Sequence, residues 1–67
     1  MTAIKDSFGH TLCMGNPREG IIEIKYRQIS VTLHINIGEQ ISVCREGILS
    51  VITRLSCAAF IVSTFSS

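Results

Sequence analysis

One guanidinium offers the clearest chemistry in this chain. In Gln40-Ile41-Ser42-Val43-Cys44-Arg45-Glu46-Gly47-Ile48 the first half alternates apolar and polar residues, as a half-buried strand does. The second half takes up the apolar spacing of a helix, carried by Ile48, Val51, Ile52 and Leu55. Arg45 falls at the switch. A planar cation fixed between two regular elements suits recognition of a nucleic-acid base or phosphate. By residue type alone Arg45 reads as a surface arginine paired with Glu46 or Glu39; its position at the switch favours recognition.

Other chemistries find little support. The chain has no nucleophile elbow, phosphate loop or usefully spaced pair of acids, so an enzyme is not expected. His10 and His34 lack spaced carboxylate or cysteine partners and read as surface or subunit-contact residues, not metal ligands. Cys13, Cys44 and Cys57 are an odd set with no C-x-x-C, which indicates neither a disulfide framework nor a zinc site. Reduced thiols in a cytoplasmic protein are the plain reading. A cation next to a thiol lowers its pKa, so Cys44 beside Arg45 could sense redox state, although an inert thiol is the simpler role. No cofactor is implied.

The elements that must position Arg45 belong to one small domain, residues 1–67. A chain of 67 residues is marginal alone, and its 46% apolar content with only 6% aromatic residues favours a subunit interface. Net charge is +1, so nucleic-acid binding would rest on focused contacts and not on a broad field. Met1 to Gly9 has no apolar core and does not resemble a signal peptide.

The alternation predicts five short strands. Thr2 to Phe8 holds Ile4 as its anchor, and Thr11 to Met14 places Leu12 and Met14 on one face. After the turn-rich Gly15 to Gly20, Ile22, Ile24 and Tyr26 alternate with Glu23 and Lys25. Arg27-Gln28 connects to the longest alternating run, Ile29 to Ile37, expected as the central strand. Gly38-Glu39 leads into Ile41–Val43. A helix is expected over 45–62, with Cys44 a poor cap, and 63–67 should fray. The apolar run Ile48 to Phe65 reaches the minimum length of a membrane span, but Arg54 within it costs about 2.5–3.5 kcal/mol on insertion scales. An amphipathic helix packed on a sheet or partner fits better. The expected fold is therefore mainly β, five antiparallel strands (1–44) and one C-terminal helix. Exposed sheet edges favour a homodimer.

This order of elements, with two motifs, resembles the bacterial carbon storage regulator (CsrA/RsmA) family of small RNA-binding translational regulators. The family's L-T-R-K-x-G-E-x-I-x-I-G-D aligns without a gap on Ile4 to Asn16, keeping both glycines. Its V-x-I-G-I-x-A-P-x-x-V-x-V-H-R-x-E-I aligns on Val31 to Ile48 and places Arg45 on the family's arginine. The resemblance covers residues 2 to about 52. It implies an intertwined, strand-exchanged homodimer that binds GGA in hairpin loops, where the first strand of one chain lies beside the last strand of its partner.

Carried onto these positions, Arg45 is the main RNA contact, flanked by Cys44 in place of the usual histidine. Ile41 and Val43 line the base pocket. Ile4, Lys5 and Ser7 approach on the partner's first strand. Asp6 and Ser7 replace a basic pair, which weakens phosphate contacts. Gly38-Glu39 replaces a proline-containing turn, and His34 stands where the family has glycine. The implied role is post-transcriptional control of mRNA translation and stability, with mRNA leaders and small decoy RNAs as partners; no membrane is expected, association through the apolar tail being the minor option. The alternative is a protein-interaction module of the same fold with weakened RNA binding. Such a chain could pair with a family paralogue as a heterodimer or dock through its helix.

Overall fold

The computed structural model describes residues 1–66 and contains strands alone. They are β1 (Thr2–Lys5), β2 (Thr11–Asn16), β3 (Ile21–Tyr26), β4 (Ile29–His34), β5 (Gln40–Arg45), β6 (Ile48–Arg54) and β7 (Phe60–Ser66). All pairings are antiparallel, in a four-stranded sheet of order β1-β2-β3-β4 and a three-stranded sheet of order β5-β6-β7. The sheets meet face to face: Ile4, Leu12, Cys13 and Ile22 of the first pack with Ile52 of the second, and Ile35 of the connection joins them.

The expected helix over 45–62 is absent; β6 and β7 occupy that stretch. Glu46 (φ 53°) and Gly47 (φ 78°) are both left-handed, and Arg45 pairs directly with Ile48. That is a two-residue type I′ hairpin, which reverses the chain where a helix would have begun. Ile48, Val51, Ile52 and Thr53 are β-branched and fit a pleated surface. Leu55 and Ser56 donate to the carbonyl of Ala59 to close the next turn. The expected frayed end is β7 through Ser66; Ser67 lies outside the described residues.

Three further expectations change. The run from Ile29 is an edge strand, not the central one, and stops at His34. Leu12 and Met14 do not share a buried face: the β1–β2 register slips between Ile4 and Lys5, and this bulge turns both Leu12 and Cys13 inward. The expected five strands are seven among the described residues. β1 pairs with β2 and lies against β7 of its own chain, and β5 pairs with β6.

Arg54 is the main polar tie between the sheets. It is only 7% exposed, and its guanidinium donates to the carbonyls of Pro17 (2.9 Å), Ile35 (3.0 Å) and Arg18 (3.0 Å). Its own backbone bonds Glu39 and Gly38. One residue of β6 thereby fixes both the β2–β3 loop and the β4–β5 connection. Gly20 (φ 73°) passes so close that a Cβ there would collide with Arg54 and the Ile35 carbonyl.

Candidate nucleic-acid interface

Two tight hairpins point the same way and define a cleft between their tips. In the β3–β4 hairpin Tyr26 pairs with Ile29 across Arg27-Gln28, with Arg27 left-handed (φ 57°). In the β5–β6 hairpin Arg45 pairs with Ile48 across Glu46-Gly47. Between them lies a cleft of about 610 Å³ lined by Ile24, Lys25, Tyr26 and Arg27 on one side and Val43, Cys44, Arg45 and Glu46 on the other. Two-residue turns leave the tips little freedom, so these side chains are presented by rigid backbone.

The cleft combines an aromatic face with cations. Tyr26 is 54% exposed, and the Arg27 guanidinium carbon sits 5.3 Å from its ring centroid. That is within cation–π range. Lys25 is held 3.3 Å from Glu23, and Arg45 lies across the cleft. Glu46 is the one acid among the lining residues. Ile24 and Val43 form an apolar floor, both packed on the core.

Of the residues expected in the site, Val43, Cys44 and Arg45 are together here. Ile41 is half-buried on the core and does not line the cleft. Ile4 is buried in the core, and its nearest opening is a separate cleft of about 430 Å³ that also takes Lys5 and Ser7. The backbone N–H of Ser7 donates to Thr64 Oγ1 (3.0 Å), which ties that segment to β7. Within one chain the first-strand residues therefore do not reach Arg45's cleft.

Asp6 has a different task from the one its alignment implies. Its side chain is 3% exposed and accepts hydrogen bonds from the backbone N–H groups of Phe8 (2.9 Å) and His10 (2.8 Å), with the His10 ring 3.3 Å away. Burial pushes the carboxyl up, but those donors and the His10 ring outweigh it and hold it below its ordinary value of 3.8. Asp6 organises the β1–β2 turn and is not a stray anion on a binding face.

Arg45 also borders a smaller pocket of about 260 Å³ with Asp6, His10, Leu12 and Ser50. Burial raises the Cys13 thiol pKa above 9.0, and the nearby Arg45 charge partly offsets this. Cys44 and Cys57 are exposed free thiols. Among the described residues no cluster of histidine, cysteine and acid side chains could hold a metal ion, and no helix is long and apolar enough to cross a membrane.

The sequence pattern does not single out Tyr26, Arg27 and Lys25, which fit a strand end and a plain connection. The available signal was the Lys-Tyr-Arg run, a basic–aromatic interleaving placed at a hairpin tip. Compared with protein-family models, curated proteins and solved structures, the chain finds no match.

Proposed function

We propose that the chain binds single-stranded RNA in the cleft between its two hairpin tips and acts as a post-transcriptional regulator. The observation that carries this reading is the exposed Tyr26 ring stacked with Arg27, facing Arg45 across an open, cation-lined cleft. An unpaired base stacks on an aromatic face, while guanidinium and ammonium groups hold its phosphates. Each stacked base contributes on the order of 1–3 kcal/mol. Selectivity would come from Arg45, whose planar guanidinium can meet base edges.

The motif match over Ile4–Asn16 and Val31–Ile48 makes a GGA hairpin loop the first RNA to try. The all-β second half departs from that family, so docking through a C-terminal helix is set aside. Occupancy of an mRNA leader at its ribosome-binding site would block initiation. The test is fluorescence anisotropy of the pure protein with a GGA-loop hairpin, its fully duplexed counterpart and an unstructured RNA, across a salt series. Single-stranded loops should bind and the duplex should not. Absence of RNA binding even at low salt would remove this reading.

A further inference from the structure

We infer that the β4/β5 side of the molecule accepts one added β-strand from a partner polypeptide: an extended segment that alternates apolar and polar residues and carries an acid at the end nearest the hairpin tips. The sheets are unequal, four strands against three. On one side β1 lies against β7. On the other, β4 and β5 are consecutive strands joined by 35–39, and both are sheet edges with no neighbour beyond them among the described residues.

The register shows what the missing strand leaves bare. Ile29, Val31 and Leu33 pair with Tyr26, Ile24 and Ile22. Directly paired residues point to the same face of a sheet, so these three share the face of Ile22, the inward one. Ile22 is fully buried, yet Ile29 is 64% and Val31 43% exposed. The second sheet runs out of strands before it covers them.

The same geometry specifies the occupant. A strand bonded to the free edge of β5 would complete a four-on-four sandwich and lie over Ile29 and Val31. The edge requires an extended backbone, and the bare face requires apolar side chains at every second position. β4 and β5 are each six residues long, which sets the length of the match. Arg45 ends β5 at the tips with Arg27 opposite; Lys25 is already paired with Glu23 and Glu46 is the one lining acid, so the two arginines leave that end positive and an acidic residue belongs there.

The test uses the full chain and a labelled synthetic peptide, Asp-Val-Thr-Val-Thr-Ile-Lys, with Asp-Thr-Thr-Val-Val-Ile-Lys as the non-alternating control. The alternating peptide should bind saturably and at least tenfold more tightly than the control. It should also shift the backbone amide resonances of Ile41 and Val43 in the parent protein. Methylating its alternate backbone nitrogens should abolish binding for one set and spare it for the other, since only one edge pairs. The Ile29→Thr/Val31→Thr variant should keep its RNA affinity and lose peptide binding by tenfold or more. Equal binding of both peptides, no binding, or no amide shifts along β5 would overturn the proposal. So would self-association of the parent that the variant loses, which would make a second copy the occupant. Loss of RNA binding in that variant would assign the face to RNA instead. Because the RNA reading rests on Tyr26 and Arg45, its failure alone leaves the peptide results standing.

Discussion

Nη1 of Arg54 donates to the carbonyl oxygen of Ile35 at 3.0 Å, joining β6 to the connection that carries the chain from one sheet to the other. The remaining nitrogens serve Pro17 and Arg18, so one planar fork serves three carbonyls. Charge alone does not explain the arrangement, since those contacts are backbone oxygens and geometry decides. Lysine keeps the charge but lacks the fork. Arg54→Lys should therefore cost about 2–4 kcal/mol, because buried carbonyls are left unpaired. Urea denaturation measures it. A parental midpoint for Arg54→Lys would show that the fork is dispensable.

Asp6 makes stability depend on acid. Its folded pKa lies below the ordinary 3.8, so the folded state releases this proton more readily than the unfolded chain. The sign follows: its stabilisation is complete above the unfolded value and is lost as pH falls from about 3.8 through the folded pKa. Asp6→Asn retains an oxygen for the Phe8 and His10 N–H groups but loses the charge, and should flatten the acid limb of the stability profile. Asp6→Ala should lower the melting temperature further at neutral pH. Thermal melts from pH 2 to 7 distinguish the two. An unchanged acid limb in Asp6→Asn would show that Asp6 does not carry the effect.

How much was legible depended on whether local pattern and turn chemistry agreed. Ile22, Ile24 and Tyr26 alternate cleanly, and β3 lies where that alternation places it. After Arg45 the two signals conflicted. Ile48, Val51, Ile52 and Leu55 fit a helical stripe, yet Ile48, Ser50, Ile52 and Arg54 form the inward face of a strand. The tie-breakers were Gly47, which accepts the left-handed turn position while Glu46 hides the usual Asn-Gly signal, and the weak cap at Cys44, a sign against a helix. In the sequence Arg54 stands out only as an obstacle to membrane insertion. Its carbonyl partners are 19 to 37 residues away in sequence, so no local pattern could reveal them. For the site, Arg45 was visible from its local setting. Tyr26 and Arg27 became relevant only once two hairpins distant in sequence were set tip to tip.

The Glu46-Gly47 turn links fold to binding. Glu46 holds a left-handed backbone that asparagine tolerates better, and it is the acid in a cleft of cations. Glu46→Asn should raise stability by some fraction of the roughly 1–2 kcal/mol that a left-handed conformation costs an ordinary residue. It should also tighten RNA binding by removing a like charge from the path of the phosphates. Denaturant titration and anisotropy read the two effects on one protein. A gain in stability with no gain in affinity would place the phosphates away from this tip.

Stacking and charge can be separated at the cleft. Tyr26→Ala removes the aromatic face and should weaken RNA binding by about 1–3 kcal/mol while leaving the salt slope unchanged. Tyr26→Phe retains the face and should bind as the parent does. Arg45→Ala removes a cation on the opposite wall, so it should lower affinity and reduce the salt slope by about 0.7. Tyr26 and Arg45 are both at exposed hairpin tips, so neither change should disturb the core of Ile22 and Ile52. Anisotropy titrations at four salt concentrations give both quantities for each variant. If Tyr26→Ala flattens the slope as Arg45→Ala does, the ring is not a stacking platform and the two residues act through electrostatics alone. If neither variant changes affinity, the RNA lies elsewhere and the cleft between the tips is not its site.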